Sequence, residues 1–130
     1  MTTALAGPLE GQLGRLQKAF PGSRARALPD ATVLVTVPSV PLSTGWSQVT
    51  TDVSFVVPVG YPMERPDCFY ADVGLRLANG NLPMNTAPQQ IPHSEDTCVW
   101  FSWHLTTWHP TRDTLLTYVR VIQDRLNRPQ

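Results

Sequence analysis

The stretch that decides the fold covers residues 57–70 and reads VPVGYPMERPDCFY. Prolines at positions 58, 62 and 66 each remove a backbone hydrogen-bond donor, so this stretch cannot form a regular helix or an inner strand. Residues 51–57, just before it, are rich in β-branched side chains and predict a strand that ends at Pro58. An extended pattern resumes at Cys68 and continues to Leu77. The order strand, proline-rich loop, strand fits a meander of short strands.

More strands are predicted on the N-terminal side of this stretch. Residues 31–37, which read ATVLVTV, are β-branched and end at Pro38, and residues 46–50 form a shorter candidate. On the C-terminal side, residues 78–97 show no apolar periodicity and contain several prolines. We therefore predict a long loop over residues 78–97, followed by an aromatic segment up to Trp108.

A helix is predicted at each end of the chain, because apolar residues recur there every three or four positions. The N-terminal set is Leu9, Leu13, Leu16 and Phe20, and the C-terminal set is Leu115, Val119, Ile122 and Leu126. Pro21 ends the first helix, and Thr111 or Asp113 is expected to cap the second. Strands grouped between two helices predict an α+β fold, an antiparallel meander of about four strands packed by the N-terminal and C-terminal helices. The chain has 130 residues, a length that predicts a single domain over residues 1–130.

Composition excludes several functional classes. Ten Lys and Arg balance ten Asp and Glu, which removes the basic face that nucleic-acid binding needs, so no nucleic-acid partner is expected. No stretch approaches the roughly 20 apolar residues of a membrane span, and residues 1–8 lack the features of a signal peptide. Two cysteines are too few for a disulfide framework, so we predict a cytoplasmic protein with free thiols. There is no glycine-rich phosphate loop and no Ser-His-Asp spacing.

The proline-rich stretch and the C-terminal motifs together resemble a known family. The segments that carry the resemblance are GYP at 60–62, PDCFY at 66–70, FSWH at 101–104 and WHPTRD at 108–113. They are similar to motifs of the prokaryotic family E of ubiquitin-conjugating-enzyme-like proteins, with Trp103 replacing the usual Arg and Thr111 the usual Gly. The resemblance runs from about Gly45 to the C-terminus, and the first 44 residues match in arrangement only.

This resemblance implies a ubiquitin-conjugating (UBC-like) fold and a role in a bacterial ubiquitin-like modification pathway. The implied partners are a ubiquitin-activating-like enzyme, a ubiquitin-like protein and, in many such pathways, a deubiquitinase-like peptidase. The implied chemistry is a thioester between the modifier and one cysteine of this chain, followed by transfer to an amine.

The resemblance also implies the site residues. Cys98 lies in the interval before Trp108 where conjugating enzymes place their catalytic cysteine, and His104 would lower the pKa of that thiol, position an amine or cap a turn. The His-Pro-Asn motif that steadies the oxyanion is absent, and Gln90, eight residues before Cys98, is the amide expected to replace it. Cys68 falls on a predicted strand and is assigned to the core.

Alternatives stay open at each of these positions. Asn85 or His93 could take the place of Gln90, and Cys98 could be a buried small hydrophobic residue. Histidines 93, 104 and 109 are candidate zinc ligands together with Cys98, but their spacing is wider than that of paired structural zinc ligands. We predict no metal and no cofactor.

A surface for partners is predicted from three further residues. Trp103 is the tryptophan expected to be exposed, and it joins Leu13 and Leu16 of the first helix as a candidate partner-binding residue. Because the His-Pro-Asn motif is missing, a second hypothesis for the function is an inactive binding module of the same fold. Such a module would serve as a scaffold for the activating enzyme and the modifier. A third is an α+β domain with a peptide groove, outside the family.

Overall fold

The structure, a computed structural model, describes residues 8–130. In chain order the elements are α1 (Pro8–Ala19), β1 (Arg24–Ala27), β2 (Val33–Pro41), β3 (Thr50–Val57), β4 (Phe69–Ala71), β5 (Thr86–Gln90), β6 (Thr97–Phe101) and α2 (Leu115–Leu126). Within the described range the strands form one sheet of six, in the order β1-β2-β3-β4-β6-β5, with every neighbouring pair antiparallel. The α+β class is confirmed, with two strands more than the four expected. Residues 1–7, which belong to the stretch in which we expect no signal peptide, lie outside the described range.

The sheet has one apolar face, because side chains alternate along each strand. On β3, Val53, Phe55 and Val57 are buried, whereas Asp52 and Ser54 line a cavity on the opposite face. The apolar face packs against residues of α2 and α1. Those helix residues are Leu115, Tyr118, Val119, Ile122 and Leu126 from α2, and Leu9 and Leu16 from α1. Each large apolar side chain buried in this layer contributes about 1.5–3 kcal/mol to stability.

The helices follow the predicted periodicity, but the cap of α2 differs from the prediction. The cap is Thr114, whose hydroxyl accepts a hydrogen bond from the N–H of Thr117, while the Thr117 hydroxyl accepts one from the N–H of Thr114 at 3.0 Å. This reciprocal pair satisfies two backbone donors at the helix start. The predicted cap Asp113 instead accepts from the N–H of His109 at 2.7 Å, and Thr111 precedes the helix in a turn.

The strand prediction was correct for β3 and wrong in three places on its N-terminal side. The second strand does not end at Pro38 but continues to Pro41, because a register shift between Val37 and Val40 accommodates the proline. Residues 46–50 are not a strand before Thr50, and Trp46 makes only an isolated bridge to Leu77. β1, which reads RARA, was missed because it contains no β-branched or aromatic residue and its apolar positions are only alanines.

The predicted loop over residues 78–97 contains the fifth strand. β5 reads TAPQQ and pairs with β6 along its whole length. Its polar sequence and Pro88 gave no strand signal, and they are tolerated because β5 is the edge strand of the sheet. This hairpin places Cys98 inside β6, whereas the loop predicted over residues 78–97 would have left it directly at the end of a loop.

The proline-rich loop between β3 and β4 has no regular structure, as predicted, and side chains from both ends of the chain hold it. The hydroxyl of Tyr61 donates to Oε1 of Gln12 on α1, and the same oxygen accepts from the N–H of Leu115 at 3.0 Å. The indole of Trp108 donates to the carbonyl of Pro62 at 2.8 Å. The loop is thereby fixed against both helices, and with it the residues that enter β4.

Candidate functional site

Two chain segments meet where β4 begins. The N–H of Cys68 donates to the carbonyl of Trp103 at 3.1 Å, and the next residue, Phe69, pairs with Phe101 in β6. The two phenylalanine rings are stacked, with centroids 4.5 Å apart. The end of the proline-rich loop is therefore aligned with the segment that leaves β6, and the Pro-Asp motif faces the Ser-Trp-His motif.

His104 and Asp67 form a hydrogen-bonded pair at this junction. Nδ1 of His104 lies 2.6 Å from Oδ1 of Asp67. Because a carboxylate accepts and does not donate, Nδ1–H is the donor, and Nε2 is left as the nitrogen able to take a proton. Nε2 lies 3.4 Å from Oγ of Ser102. The His104 and Asp67 side chains are 59% and 51% exposed, so a reactant can reach them.

Cys68 lies in the loop before β4, and the prediction that it sits in a strand of the core was wrong. The strand begins one residue later, and Cys68 is half-buried with a left-handed backbone at φ 60°. Such a conformation costs a non-glycine residue about 1–3 kcal/mol. It is held by the bond to Trp103 and by the hydroxyl of Tyr118, which donates to the Cys68 carbonyl at 2.7 Å.

A thiol, an imidazole and a carboxylate come together here. One nitrogen of His104, one carboxylate oxygen of Asp67 and the sulfur of Cys68 all lie within 4.8 Å of one another. Burial raises the pKa of the Cys68 thiol, a backbone hydrogen bond from Trp103 opposes that rise, and the charge of Asp67 adds to it. The thiol is therefore protonated at neutral pH and needs a base before it can attack an electrophile.

Cys98, the predicted catalytic thiol, lies elsewhere. It points to the outer face of the sheet, where it lines a cavity of about 670 Å³ together with Tyr70. Its pKa is raised, first by burial and then by the charges of Asp96 and Asp72, which is opposite to the lowering expected from His104. His104 lies beyond the end of β6, beside Asp67, so the structure brings this histidine to Cys68.

Gln90, the predicted oxyanion donor, is exposed on the edge strand. The strand register pairs Gln90 with Thr97 and pairs Cys98 with Gln89. The residue opposite the predicted thiol is therefore Gln89. The eight-residue spacing that suggested Gln90 applies to a loop, and here both residues lie in a hairpin.

The predicted partner-binding residues have different environments. Leu16 is fully buried in the core, so it is not available to a partner, and that part of the prediction was wrong. Leu13 is half-buried against the same core. Trp103 is also half-buried, because the guanidinium groups of Arg125 and Arg128 stack on its ring at 5.6 and 5.3 Å from the centroid.

The histidines do not gather into the zinc set considered from the sequence. Nε2 of His93 lies 3.3 Å from Oδ2 of Asp30, whereas His104 is paired with Asp67. Among the residues that the structure describes, the group whose donor atoms could share an ion is Asp67, Cys68 and His104. One nitrogen of His104 already donates to Asp67, so the group as it stands has the geometry of an acid–base pair beside a thiol.

A cleft adjoins this group. Its volume is about 820 Å³, and its lining includes Met63, Arg65, Asp67, Thr106, Trp108 and Pro110. Asp67 is thus a wall of the cleft as well as the partner of His104, and the Met63 side chain is exposed beside it.

Asp67 and Ser102 were not among the predicted site residues. A sequence signal for Asp67 existed, since the Pro-Asp-x-Phe and Ser-x-His motifs of the family each contribute one member of the pair. Their pairing across 37 positions depends on the register of β4 against β6, which no local pattern contains.

The architecture defines an α+β protein with an E2-like arrangement, two helices against a six-stranded antiparallel sheet. A family model described as Prokaryotic E2 family E matches residues 25–129, which include both motifs of the site, and the chain belongs to this family. No curated protein and no solved structure matches the chain significantly. Within residues 8–130, neither helix has the length and apolarity needed to cross a membrane.

Proposed function

We propose that the chain is a ubiquitin-conjugating-enzyme-like transferase of a bacterial ubiquitin-like modification pathway. It accepts a ubiquitin-like protein from a ubiquitin-activating-like enzyme as a cysteine thioester and passes it to an amine. The observation that carries the proposal is a thiol beside an imidazole on an exposed junction, in a member of an E2 family. Exchange between two thioesters is nearly isoenergetic, so the protein has to supply position and a proton acceptor.

Two thiols are candidates for the carrier. Cys98 is the residue proposed from the sequence, with Gln90 as oxyanion donor, and it borders an open cavity. Cys68 is the candidate that lies next to His104. A deubiquitinase-like peptidase is the third proposed partner besides the activating enzyme and the modifier. We place the pathway in the cytoplasm, where both thiols stay reduced.

A charging assay tests this function. The chain is incubated with a cognate activating-like enzyme, the ubiquitin-like protein and ATP, and we expect a band shift that reducing agent removes. Replacing the carrier cysteine by Ala abolishes the shift, and replacing it by Ser or Lys converts the shift to a form that resists reductant. Because Lys18 is the only lysine, self-modification through lysine side chains is limited to one site, which keeps the gel simple.

A scaffold function is the second candidate, and specific observations favour it. The His-Pro-Asn motif is absent, and the pKa values of both thiols are raised by burial. A scaffold binds the activating-like enzyme or the modifier without accepting a thioester. Gel filtration that shows a stable complex, combined with no shift for the wild type or either cysteine variant while the activating enzyme is charged, would identify the scaffold.

A further inference from the structure

We infer that Cys68, His104 and Asp67 form a thiol–imidazole–carboxylate site, in which Cys68 is the nucleophile, His104 its general base and Asp67 the residue that orients His104. The identity of the acyl donor rests on the proposed function. The site itself rests on the geometry at the junction of the proline-rich loop and the segment after β6, and it can be tested without any partner.

The hydrogen bond between Asp67 and His104 sets the state of the imidazole. At 2.6 Å, Oδ1 of Asp67 accepts from Nδ1–H, so Nε2 is the nitrogen of the neutral ring that can take a proton. The same contact stabilises the imidazolium that forms when the ring takes a proton. His93 has an aspartate partner too, but its contact to Asp30 is 3.3 Å and neither cysteine belongs to that pair. The His104 pair is therefore the one associated with a thiol.

The backbone of Cys68 is held in an uncommon conformation at the same place. A left-handed non-glycine residue persists only where its surroundings hold it, and such residues cluster at functional sites. The carbonyl of Trp103 and the hydroxyl of Tyr118 bind the two polar backbone groups of Cys68, at 3.1 and 2.7 Å. This arrangement lets the chain enter β4 while the thiol stays near His104. In a strand conformation at position 68, the alternation along β4 would set the direction of the Cys68 side chain, and the thiol would not be free to stay near His104.

The neighbouring thiol, Cys98, lacks these features. It lies in the regular part of β6, and the charged groups that act on it are the carboxylates of Asp96 and Asp72. Cys68 has Asp67 beside it as well, but there one imidazole nitrogen of His104 lies within 4.8 Å of both the Cys68 sulfur and an Asp67 carboxylate oxygen. The cleft with Arg65 and Trp108 borders Asp67, the residue next to Cys68 in the chain.

The reaction balances without any further reagent. His104 takes the thiol proton of Cys68, and the sulfur attacks the C-terminal carbonyl carbon of the modifier, which is bound as a thioester to the activating enzyme. The new C–S bond forms, the old C–S bond breaks, and the departing thiolate takes the proton from His104. In the second half, an amine attacks the same carbon, so a C–N bond forms and the C–S bond to Cys68 breaks. Cys68 leaves as a thiolate, and His104 passes the proton lost by the amine to that thiolate.

Thiol alkylation tests the site in the full chain without partners. Iodoacetamide is added at pH 6 to 8.5, and mass spectrometry of the peptides measures the rates at Cys68 and Cys98 separately. We expect His104→Gln to slow labelling of Cys68 about tenfold at pH 7, because the base is lost, and to leave Cys98 unchanged. His93→Gln is the matched control, since it removes a histidine with an aspartate partner elsewhere, and it should change neither rate.

A Cys68 rate that is equal in His104→Gln and His93→Gln overturns the inference. Asp67→Asn provides a second variant if His104→Gln does not fold. This substitution also removes a charge that raises the Cys68 pKa, which by itself would speed labelling. A severalfold slower Cys68 with unchanged Cys98 therefore identifies the orienting role of Asp67, and an unchanged or faster Cys68 in the folded variant likewise overturns the assignment. Alkylation is repeated with added Zn²⁺ and with EDTA. Protection of Cys68 by micromolar Zn²⁺ would assign the three residues to a metal and contradict the nucleophilic role.

The charging assay separates this inference from the proposed function. If Cys68→Ala abolishes the thioester and Cys98→Ala does not, the inference and the proposed function are both supported. If Cys98→Ala alone abolishes it, the inference fails and the function stands. If no variant is charged but the Cys68 rate still depends on His104, the proposed transfer fails and the thiol–imidazole pair stands.

Discussion

The hydroxyl of Tyr118 donates a hydrogen bond of 2.7 Å to the backbone carbonyl of Cys68. This bond joins the end of the first turn of α2 to Cys68, whose backbone is left-handed. Tyr118 is fully buried and packs edge-on against Phe55 of β3, with ring centroids 4.9 Å apart. The Tyr118 side chain therefore connects the core to the candidate site. Burial is the largest cause that raises the pKa of its hydroxyl.

Replacing Tyr118 by Phe should destabilise the protein and disturb Cys68. The variant keeps the ring in the core but leaves the Cys68 carbonyl without its donor, which costs about 1–2 kcal/mol. Urea denaturation measures the loss, and alkylation of Cys68 reports the change at the site. The alkylation rate of Cys98, which lines the cavity on the outer face of the sheet, is the internal control and should stay as in wild type. Unchanged stability in Tyr118→Phe would show that the bond contributes nothing.

Arg125 should be more important for stability than any exposed arginine. Its guanidinium is buried over the rings of Trp46, Phe101 and Trp103, and it donates to carbonyls near the C-terminus. Those carbonyls belong to Met84, Arg128 and Gln130. Arg125→Met keeps the apolar volume but leaves these acceptors without a donor, so we expect a loss of about 2 kcal/mol in urea denaturation.

The control for Arg125 is Arg120→Ala on the same helix. Arg120 is exposed, donates to Gln123 at 2.9 Å and stacks on Phe20, and surface substitutions of this kind change stability by about 0.5 kcal/mol or less. Arg125→Lys should fall between the two, because an ammonium keeps the charge but not the planar fork. Equal effects for Arg125→Met and Arg120→Ala would contradict the role of the buried guanidinium.

Asp30 should make stability depend on acid pH. Hydrogen bonds from the hydroxyl and the N–H of Thr32, together with His93, lower the pKa of Asp30 to about 2. Since the folded pKa lies below the unfolded value of about 4, the stabilisation is present above pH 4 and is lost as the pH falls through about 2.

The urea midpoint of the wild type should therefore drop more between pH 5 and pH 2 than that of Asp30→Asn. Asp124→Asn, an exposed aspartate on α2, serves as the matched control and should keep the wild-type pH profile. Parallel profiles for the wild type and Asp30→Asn would refute the assignment.

Gly45 should not tolerate a side chain. Its φ is +112°, and a Cβ there would lie 2.7 Å from Cγ of Pro129. Gly80 has a similar φ of +90° with open space around it, so it isolates the backbone strain from the clash. Both alanine variants should lose about 1 kcal/mol or more from the backbone, and Gly45→Ala should lose more. Thermal unfolding measures the difference, and equal losses would show that Pro129 moves away freely.

Patterns that act within a few residues were readable without any structure. The spacing of Leu115 and Leu126 within an apolar stripe predicted α2, β-branched residues predicted β3, and prolines predicted the loop after it. Motifs of the same stretch pointed to an E2 family, and the family match confirmed this. These features depend on local backbone preference and on which side of an element is apolar, and both are written in consecutive residues.

Tertiary structure alone decided the strand β5 and the grouping of Asp67, Cys68 and His104. β5 is polar and contains Pro88, so its own sequence does not favour a strand. It is a strand because it pairs with the edge of β6. His104 meets Asp67 because Phe69 pairs with Phe101 and fixes the register of two distant segments. The thiol beside His104 is Cys68, and not the Cys98 expected from its position in the chain, because alternation along β6 turns Cys98 to the outer face. Such contacts join residues far apart in sequence, and packing of the whole core selects them.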